Sequence, residues 1–591
     1  MKPNQTDSLW KEFRKLTRLW PYLKNDKRLI IISASLVPVV SVLQASMPLI
    51  IQKTVDQGLL TQSTDAVAYG TLAFLGATLL AWAARGGQSI LSAIAVHRMG
   101  KNLRDTVVNH ILSLSCSYHD RTLSGTLVTR ATSDFDNLNE SLNQGVLTSL
   151  VDIAVLVGCL SGLFILDWRL ATIALLILPL ASGIVNWCSR GIKKSMLESR
   201  VKIASLNAFT QECLYGGATV KLLGAHQDAQ KKFDKLNIEY RDVQMASVVL
   251  DAFMFSIIDG MAAVAIGIVL WLCSGHLLGP EELTAGMMVA FITYLQQLFE
   301  PLKQLGNKIA MLQGAFTSID RIFGVLGESS FVTGDQPAGK IAGDITFRNV
   351  SFTYDVPSEK NKVSTPKVVL KNFSLSVGRG TSLAIVGQTG SGKSTLVKIL
   401  TKLYDGYNGS ISIDGRDLKT FEPSLLRHTL VMVPQDIVLF EGDFFFNIGL
   451  GLPDVSESAI IEAAKAVGAD NFIRQYPDGY KTLIREQGSN LSHGQRQLIA
   501  FARALARNPA VVVLDEATSS VDPQSEATIQ QAIERILQGR TVIVIAHRLS
   551  TIERCDQIAV LHEGELAEQG KHRELLEKKG RYFNLQNAAA R

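Results

Sequence analysis

Six apolar stretches dominate the first half of the chain, at residues 29–51, 66–90, 147–166, 169–188, 255–275 and 283–303. Each is near the ~20 residues that cross a hydrocarbon layer as a helix. The first exceeds the ~7–15 apolar residues of a secretory signal, and five more follow, so it reads as an anchor. The connections are uneven: 1–2, 3–4 and 5–6 are short, whereas 2–3 and 4–5 each run to roughly 55–65 residues of helical patterning. Helices 2 to 5 are therefore expected to project beyond the bilayer as two long hairpins. Turn chemistry marks the hairpin tips at Tyr118–Gly125 and at Tyr215-Gly216-Gly217. Pro38, Pro48 and Pro179 mark kinks in packed helices.

After Gly327 the pattern turns polar, with Gly, Ser and Pro, and then alternates short β-rich runs with helical stretches. That alternation predicts an α/β domain with a largely parallel sheet. The expected organisation is a membrane domain over 1–327, a linker over 328–343 and an α/β domain over 344–591.

Charge sets the orientation. Lys2, Lys11, Arg14, Lys15, Arg18, Lys24, Lys27 and Arg28 precede helix 1, while the 5–6 connection has no Lys or Arg. The positive-inside rule puts both chain ends in the cytoplasm. With 59 basic against 54 acidic residues, the chain lacks the clustered basic excess of a nucleic-acid binder. The cysteines (Cys116, Cys159, Cys188, Cys213, Cys273, Cys555) are scattered, without metal-ligand spacing or a disulfide framework.

The chemistry lies in the second domain. Gly387-Gln388-Thr389-Gly390-Ser391-Gly392-Lys393-Ser394-Thr395 follows an apolar run and precedes a helical stretch. This is a phosphate-binding loop in its strand–loop–helix setting: glycines let backbone N–H groups face the phosphates, Lys393 neutralises the β/γ oxygens, and the Ser394 hydroxyl meets Mg²⁺. Val511-Val512-Val513-Leu514-Asp515-Glu516 is a buried strand ending in two carboxylates. Asp515 is assigned to Mg²⁺, and Glu516 to aligning or deprotonating the attacking water. A second strand, Thr541 to Ala546, ends in His547, within reach of the γ-phosphate.

Leu491-Ser492-His493-Gly494-Gln495, about twenty residues before the carboxylate strand, resembles the LSGGQ signature of ABC ATPases. The order of the other motifs matches that family. Tyr354 resembles its adenine-stacking aromatic, Gln435 its Q-loop glutamine, and Asp522, in Ser519-Ser520-Val521-Asp522, its D-loop. In the membrane half, Gly125 to Asp134 with Arg130, and Thr317 to Arg321, resemble segments of bacterial exporters of the multidrug and lipid-flipping type.

The resemblance implies a half-transporter: six transmembrane helices with cytoplasmic extensions, fused to a P-loop ABC ATPase. It implies MgATP as cofactor, with Gln435 joining Ser394 and Asp515 around Mg²⁺, and Glu516, His547 and Gln435 as the catalytic set. It further implies a second half-transporter whose phosphate loop faces this chain's signature, a bilayer of the bacterial inner membrane type, and a small amphipathic or lipid-like cargo. The alternative is a nucleotide-gated or regulatory subunit, against which the presence of Glu516 and His547 argues. His493 stands where the family has Gly, and beside an intact Glu516 it favours membership of a heterodimer over a homodimer. Asp152 and Asp259, a short way into helices 3 and 5, are the candidate cavity residues, with Gln44, Gln296 and Gln297 behind them.

Overall fold

The computed structural model describes residues 12, 14–61, 63–273, 284–329, 334, 341–354, 368–515, 523–546 and 549–589. The chain divides into two units, Met1–Leu112 with Ser124–Glu328, and Ser113–Leu123 with Ser329–Arg591.

Among the described residues, the first unit is built on six long helices: α1 (Lys27–Thr61), α2 (Thr64–Ser113), α3 (Thr148–Leu166), α4 (Trp168–Tyr215), α5 (His226–Cys273) and α6 (Ala285–Leu326). Among the described residues, Arg14–Gly58, Thr64–Ser113, Ser124–Leu166 and His226–Trp271 are long and apolar enough to cross a membrane, with mean hydropathy of 2.1, 1.6, 2.3 and 2.2. A fifth such stretch, Asn307–Leu326 at 1.3, lies near the end of α6. The predicted fourth and sixth spans fall inside α4 and the first half of α6.

The helices are joined by small residues and buried polar contacts, as low-dielectric packing demands. Ser41 on α1 donates to the Ala154 carbonyl at 2.5 Å, and Ser33 to that of Gln88 at 3.2 Å. Tyr294 on α6 is fully buried; its hydroxyl donates to the Ala45 carbonyl, and its ring occupies space that a Cβ at Gly162 would fill. Asp56 reaches the start of α6, accepting from Gly286 N at 2.8 Å and from the Thr284 hydroxyl at 2.7 Å. It thereby satisfies donors that a helix start leaves open.

α2 and α4 run unbroken past the predicted spans, as the helical patterning implies. The return limb into α3 does not. It is split into Ser124–Ala131, Ser133–Glu140 and a π-helical turn Ser141–Leu147. The break falls at Thr132, which has φ −123° and ψ −86° and whose hydroxyl bonds back to the Val128 carbonyl at 2.7 Å. Such back-bonding competes with the helical ladder. Around it Met99, Leu103, Phe135, Leu138, Ile319 and Ile322 form a buried cluster.

Among the described residues, the second unit holds two large sheets and a two-stranded one that pairs Gly442–Asp443 with Leu483–Ile484. An antiparallel one has the order β2-β1-β4-β5, formed by β1 (Ile345–Thr353), β2 (Val368–Val377), β4 (Asn408–Ile413) and β5 (Arg416–Asp417). The larger one comprises β3 (Ser382–Val386), β6 (Leu430–Val433), β7 (Val511–Asp515), β8 (Thr541–Ile545), β9 (Gln557–His562) and β10 (Glu565–Gly570), ordered β10-β9-β3-β8-β7-β6. It is parallel except for the β9–β10 hairpin. Its central strands are buried along their length, as expected of a sheet covered on both faces. Helices α7 (Lys393–Leu400) and α8 (His493–Ala506) pack on it through two separate apolar clusters.

Candidate functional site

β3 ends at Val386, and the glycine-rich loop that begins at Gly387 leads into α7. Gly390 and Gly392 have φ of 83° and 104°, which only glycine adopts without strain. A Cβ at Gly392 would press on Leu370 Cδ2 at 2.9 Å and the Val369 carbonyl at 3.0 Å, whereas one at Gly390 meets nothing within 4 Å. The loop is therefore pinned on one side and open on the other. Lys393 is buried, and its Nζ donates to the Gly387 carbonyl at 2.7 Å and the Gln388 carbonyl at 3.0 Å, holding the ammonium over the loop. Burial pushes its pKa down, and the Asp515 carboxylate pulls it partly back. Ser391 Oγ is buried without a hydrogen-bond partner. Ser394 is exposed.

These groups fit a nucleotide phosphate with a divalent cation. The loop supplies a positive charge, an unsatisfied hydroxyl and the amides that open α7. Ser394 and Asp515 add the hard oxygens that Mg²⁺ prefers.

Strand register brings the other candidates to the same edge. Ile545 pairs with Ile385 on one side and with Asp515 on the other, and Val433 pairs with Leu514. The ends of β3, β8, β7 and β6 are thus level. The loop, Asp515 and Gln435 emerge there together, at the carboxyl edge where parallel sheets place ligands. Glu516, His547 and Asp522 lie outside the described residues.

Tyr354 follows β1. Its hydroxyl lies 3.0 Å from Thr395 Oγ1, and its ring meets Phe352 and Tyr404 edge-on at 5.0 and 5.3 Å. Tyr404 in turn donates to Asp120, in the short helix Cys116–Arg121 at the first hairpin tip; Lys398 Nζ stands 3.6 Å from the same carboxylate. Burial and this hydrogen bond both push the Tyr404 phenol up. Asp120 and Tyr404 escaped the sequence reading, since nothing local ties a hairpin tip to a residue 284 positions away.

The signature segment opens α8. Leu491 and Gly494 are buried, and Ser492 is the N-cap of a capping box: its Oγ accepts from Gln495 N at 3.2 Å, and Gln495 Oε1 accepts from Ser492 N at 3.0 Å. His493 is the first helical residue.

In the membrane unit, Asp152 is ion-paired with Lys308, and Asp259 with Lys303 at 2.7 Å. Both lysines come from α6, at or just beyond the predicted end of the sixth span; their signal was a pair of cations in an apolar setting. The two exporter-like segments of this half also meet: Arg321 Nη1 lies 3.2 Å from Asp134, which is 4% exposed, and Asp320 pairs with Lys15 at 2.5 Å.

Comparison with known proteins agrees with this geometry. Residues 30–302 match the ABC transporter transmembrane region, and residues 370–519 match the ABC transporter family model. The chain is 33% identical over 581 residues to the uncharacterized ABC transporter ATP-binding protein YknV of Bacillus subtilis, covering 97% of this chain and 94% of that one. It is 33% identical over 574 residues to an ATP-dependent lipid A-core flippase of Thiobacillus denitrificans, covering 96% and 97%. A solved structure of a bacterial Atm1-family ABC exporter with ATP bound superposes with a TM-score of 0.75 at 28% identity, over 96% of this chain and 98% of that one.

Proposed function

The chain belongs to the ABC transporter family, as a multi-pass membrane exporter that couples ATP hydrolysis to transport, and from that premise we propose how its parts divide the work. Residues 1–327 form the transport domain and 344–591 the ATPase, joined by 328–343. Two half-transporters pair so that each ATP lies between one chain's phosphate loop and the other's signature. Tyr354 stacks on the adenine, Lys393 and the loop amides hold the phosphates, and Leu491 to Gln495 approach the nucleotide held by the partner. Ser394, Asp515 and Gln435 hold Mg²⁺, which offsets charge on the γ-phosphate. Glu516 orients and deprotonates the attacking water, His547 contacts the γ-phosphate, and Asp522 lies at the dimer seam. The cargo is a small amphipathic or lipid-like molecule, exported or flipped from the inner leaflet of a bacterial inner membrane, with both chain ends in the cytoplasm.

The observation that carries this reading is the phosphate loop: a buried Lys393 poised over the carbonyls of Gly387 and Gln388 beside the orphan hydroxyl of Ser391. ATP binding favours a closed pair over an open one, and hydrolysis removes that preference. His493 beside an intact Glu516 favours a heterodimer. The test is MgATP hydrolysis by this chain alone in lipid nanodiscs, with Glu516→Gln as control. Turnover abolished by that substitution establishes a self-sufficient homodimer and rejects the heterodimer. A folded, ATP-binding chain with no turnover requires a partner that carries the complementary site.

A further inference from the structure

Past the predicted end of its span, α2 runs beside the return limb, and a polar cavity of about 430 Å³ opens between them. That volume suits a small molecule. Gly100, on the α2 wall, lies ten residues beyond the predicted span, about 15 Å along the helix, so the cavity is clear of the hydrocarbon. Its charges balance: Lys101 and Arg104 on α2 face Asp136 and Glu140 on the limb, with His97 beside them. Arg104 Nη2 donates to Asp136 at 3.0 Å, and its guanidinium stands 5.4 Å from the centroid of the Phe135 ring. Lys101 and Glu140, both exposed, set one charge of each sign at the rim. The floor holds polar atoms with nothing to meet them. Asn139 is 9% exposed, yet its buried Oδ1 accepts no hydrogen bond among the described residues; nor does the buried Oδ1 of Asn143, and the buried Nε of Arg104 donates none. Buried polar atoms left unmet are costly, and three of them meet at one cavity. Gly100 makes room for the Asn139 amide: a Cβ there would stand 2.5 Å from Oδ1 and 2.8 Å from Nδ2. Glycine inside a long helix is less stable than alanine, so that space is kept at a cost. The limb also changes from α to π winding at Ser141–Leu147, a rare form that recurs at functional sites.

We propose that this cavity binds a small water-soluble zwitterion of the amino-acid class. The ligand's ammonium group has three donors, which suit the Glu140 carboxylate and the amide oxygens of Asn139 and Asn143. Its carboxylate accepts from Lys101 and from Arg104 Nε. Side-chain amide torsions are soft, so both amide oxygens turn to a donor without a change of backbone. A ligand with one charge leaves half of the cavity unmet, and a phosphate-like dianion meets Asp136 and Glu140 as like charges. The zwitterion is a second ligand, unlike the amphipathic cargo proposed above, and its site lies wholly within the first unit.

The experiment is hydrogen–deuterium exchange on the full chain in lipid nanodiscs, with the soluble amino acids in turn and glycylglycine at about 10 mM, enough to fill a site of millimolar Kd. N-acetylglycine, which keeps only the carboxylate, and glycinamide, which keeps only the ammonium, are the controls. At least one zwitterion is expected to slow exchange several-fold, and saturably, in 97–104 and 136–147 together, and the controls to leave both segments unchanged. Lys101→Gln and Glu140→Gln, at the exposed rim, should each weaken binding about ten-fold, the loss of one charge-assisted hydrogen bond. Gly100→Ala should abolish binding by displacing the Asn139 amide while the thermal midpoint is kept; should that variant misfold, the two rim variants decide. The inference is overturned if no zwitterion protects these segments, if the singly charged controls protect them equally, or if both rim variants bind as the parent does. Protection already complete in paired chains, which no probe increases, also overturns it, since a second half-transporter then fills the cavity.

Discussion

Removing the Asp120 carboxylate should loosen the first hairpin tip from the ATPase unit by a calculable factor. The segment Ser113–Leu123 belongs to the second unit although both flanking stretches belong to the first. Two polar contacts of Asp120 help to hold it. The Lys398 pair, at 3.6 Å with side chains 38% and 55% exposed, is screened by water and contributes under about 1 kcal/mol. The Tyr404 hydroxyl matters more, since Tyr404 is 5% exposed and Asp120→Ala strands its donor in a buried site. That costs about 1–3 kcal/mol, a shift of about 5- to 150-fold in the docking equilibrium.

Cys116 reports on docking directly, being half-buried against the apolar cluster beneath the antiparallel sheet. With the other cysteines changed to serine, maleimide labelling of Cys116 should speed up by that factor in Asp120→Ala. Burial first, and the Asp120 charge second, hold the Cys116 thiol pKa up, so losing the charge alone also quickens labelling. Tyr404→Phe separates the two effects, because it breaks the hydrogen bond and keeps the carboxylate. Both variants should retain basal ATP hydrolysis. Labelling within two-fold of the parent in both variants refutes the argument.

Three further outcomes follow from the same contacts. Lys393 has a pKa depressed below its ordinary value of 10.5 by burial, and ATP needs it protonated; ATP affinity should be full at neutral pH and fall as pH rises through that depressed pKa, with Lys393→Ala weak and flat over the same range in a filter-binding titration. Arg503, held down to about 10 by burial with Arg507 adding to it, donates to the Asn447 carbonyl at 2.8 Å and the Val438 carbonyl at 3.1 Å, so Arg503→Ala should lose about 1–3 kcal/mol, read as a lower thermal midpoint of the full chain in nanodiscs; an unchanged midpoint would show that these bonds contribute nothing. In the membrane unit, Asp152→Asn and Lys308→Gln should each cost about 3 kcal/mol, because each leaves a partner only 15–21% exposed, and the double variant should cost less than the sum; additive losses of folded protein on heating would dissolve the pair.

Much of the architecture was legible because it rests on properties averaged over many residues. Twenty apolar residues in a row survive errors of several positions, which is why six helices were visible and their ends were not. Tyr215-Gly216-Gly217 announced its turn because the break is chemical and local: α4 stops at Tyr215 and a short helix begins at Gly217. The break at Thr132 was hidden, since a threonine in a helical pattern bonds back to its own ladder without any change in hydrophobic period. The phosphate loop was legible in full, because its geometry depends on glycines adjacent in sequence. The membership of Ser113–Leu123 in the second unit includes the contact of Asp120 with Tyr404, 284 positions away, and no local pattern carries that.

The same distinction governs the candidate cavity. In sequence, Asp152 and Asp259 are isolated charges within apolar runs, and isolated intramembrane carboxylates call for a cation. The structure supplies the cations from α6, Lys308 for Asp152 and Lys303 for Asp259, with Glu300 also 3.2 Å from Lys303. A positively charged cargo attracted by these acids would have to displace a lysine already in contact. The Lys308 ammonium, once displaced, would then lack its Asp152 partner in a poorly hydrated place, a cost comparable to the attraction gained. Gln297 is likewise engaged, accepting from the Cys159 thiol at 3.1 Å. Paired charges fix helices in register and present little net field, so selection falls to shape and apolar surface. That agrees with the amphipathic cargo proposed above, and it sets the lysines of α6 beside the two aspartates as candidate cavity residues.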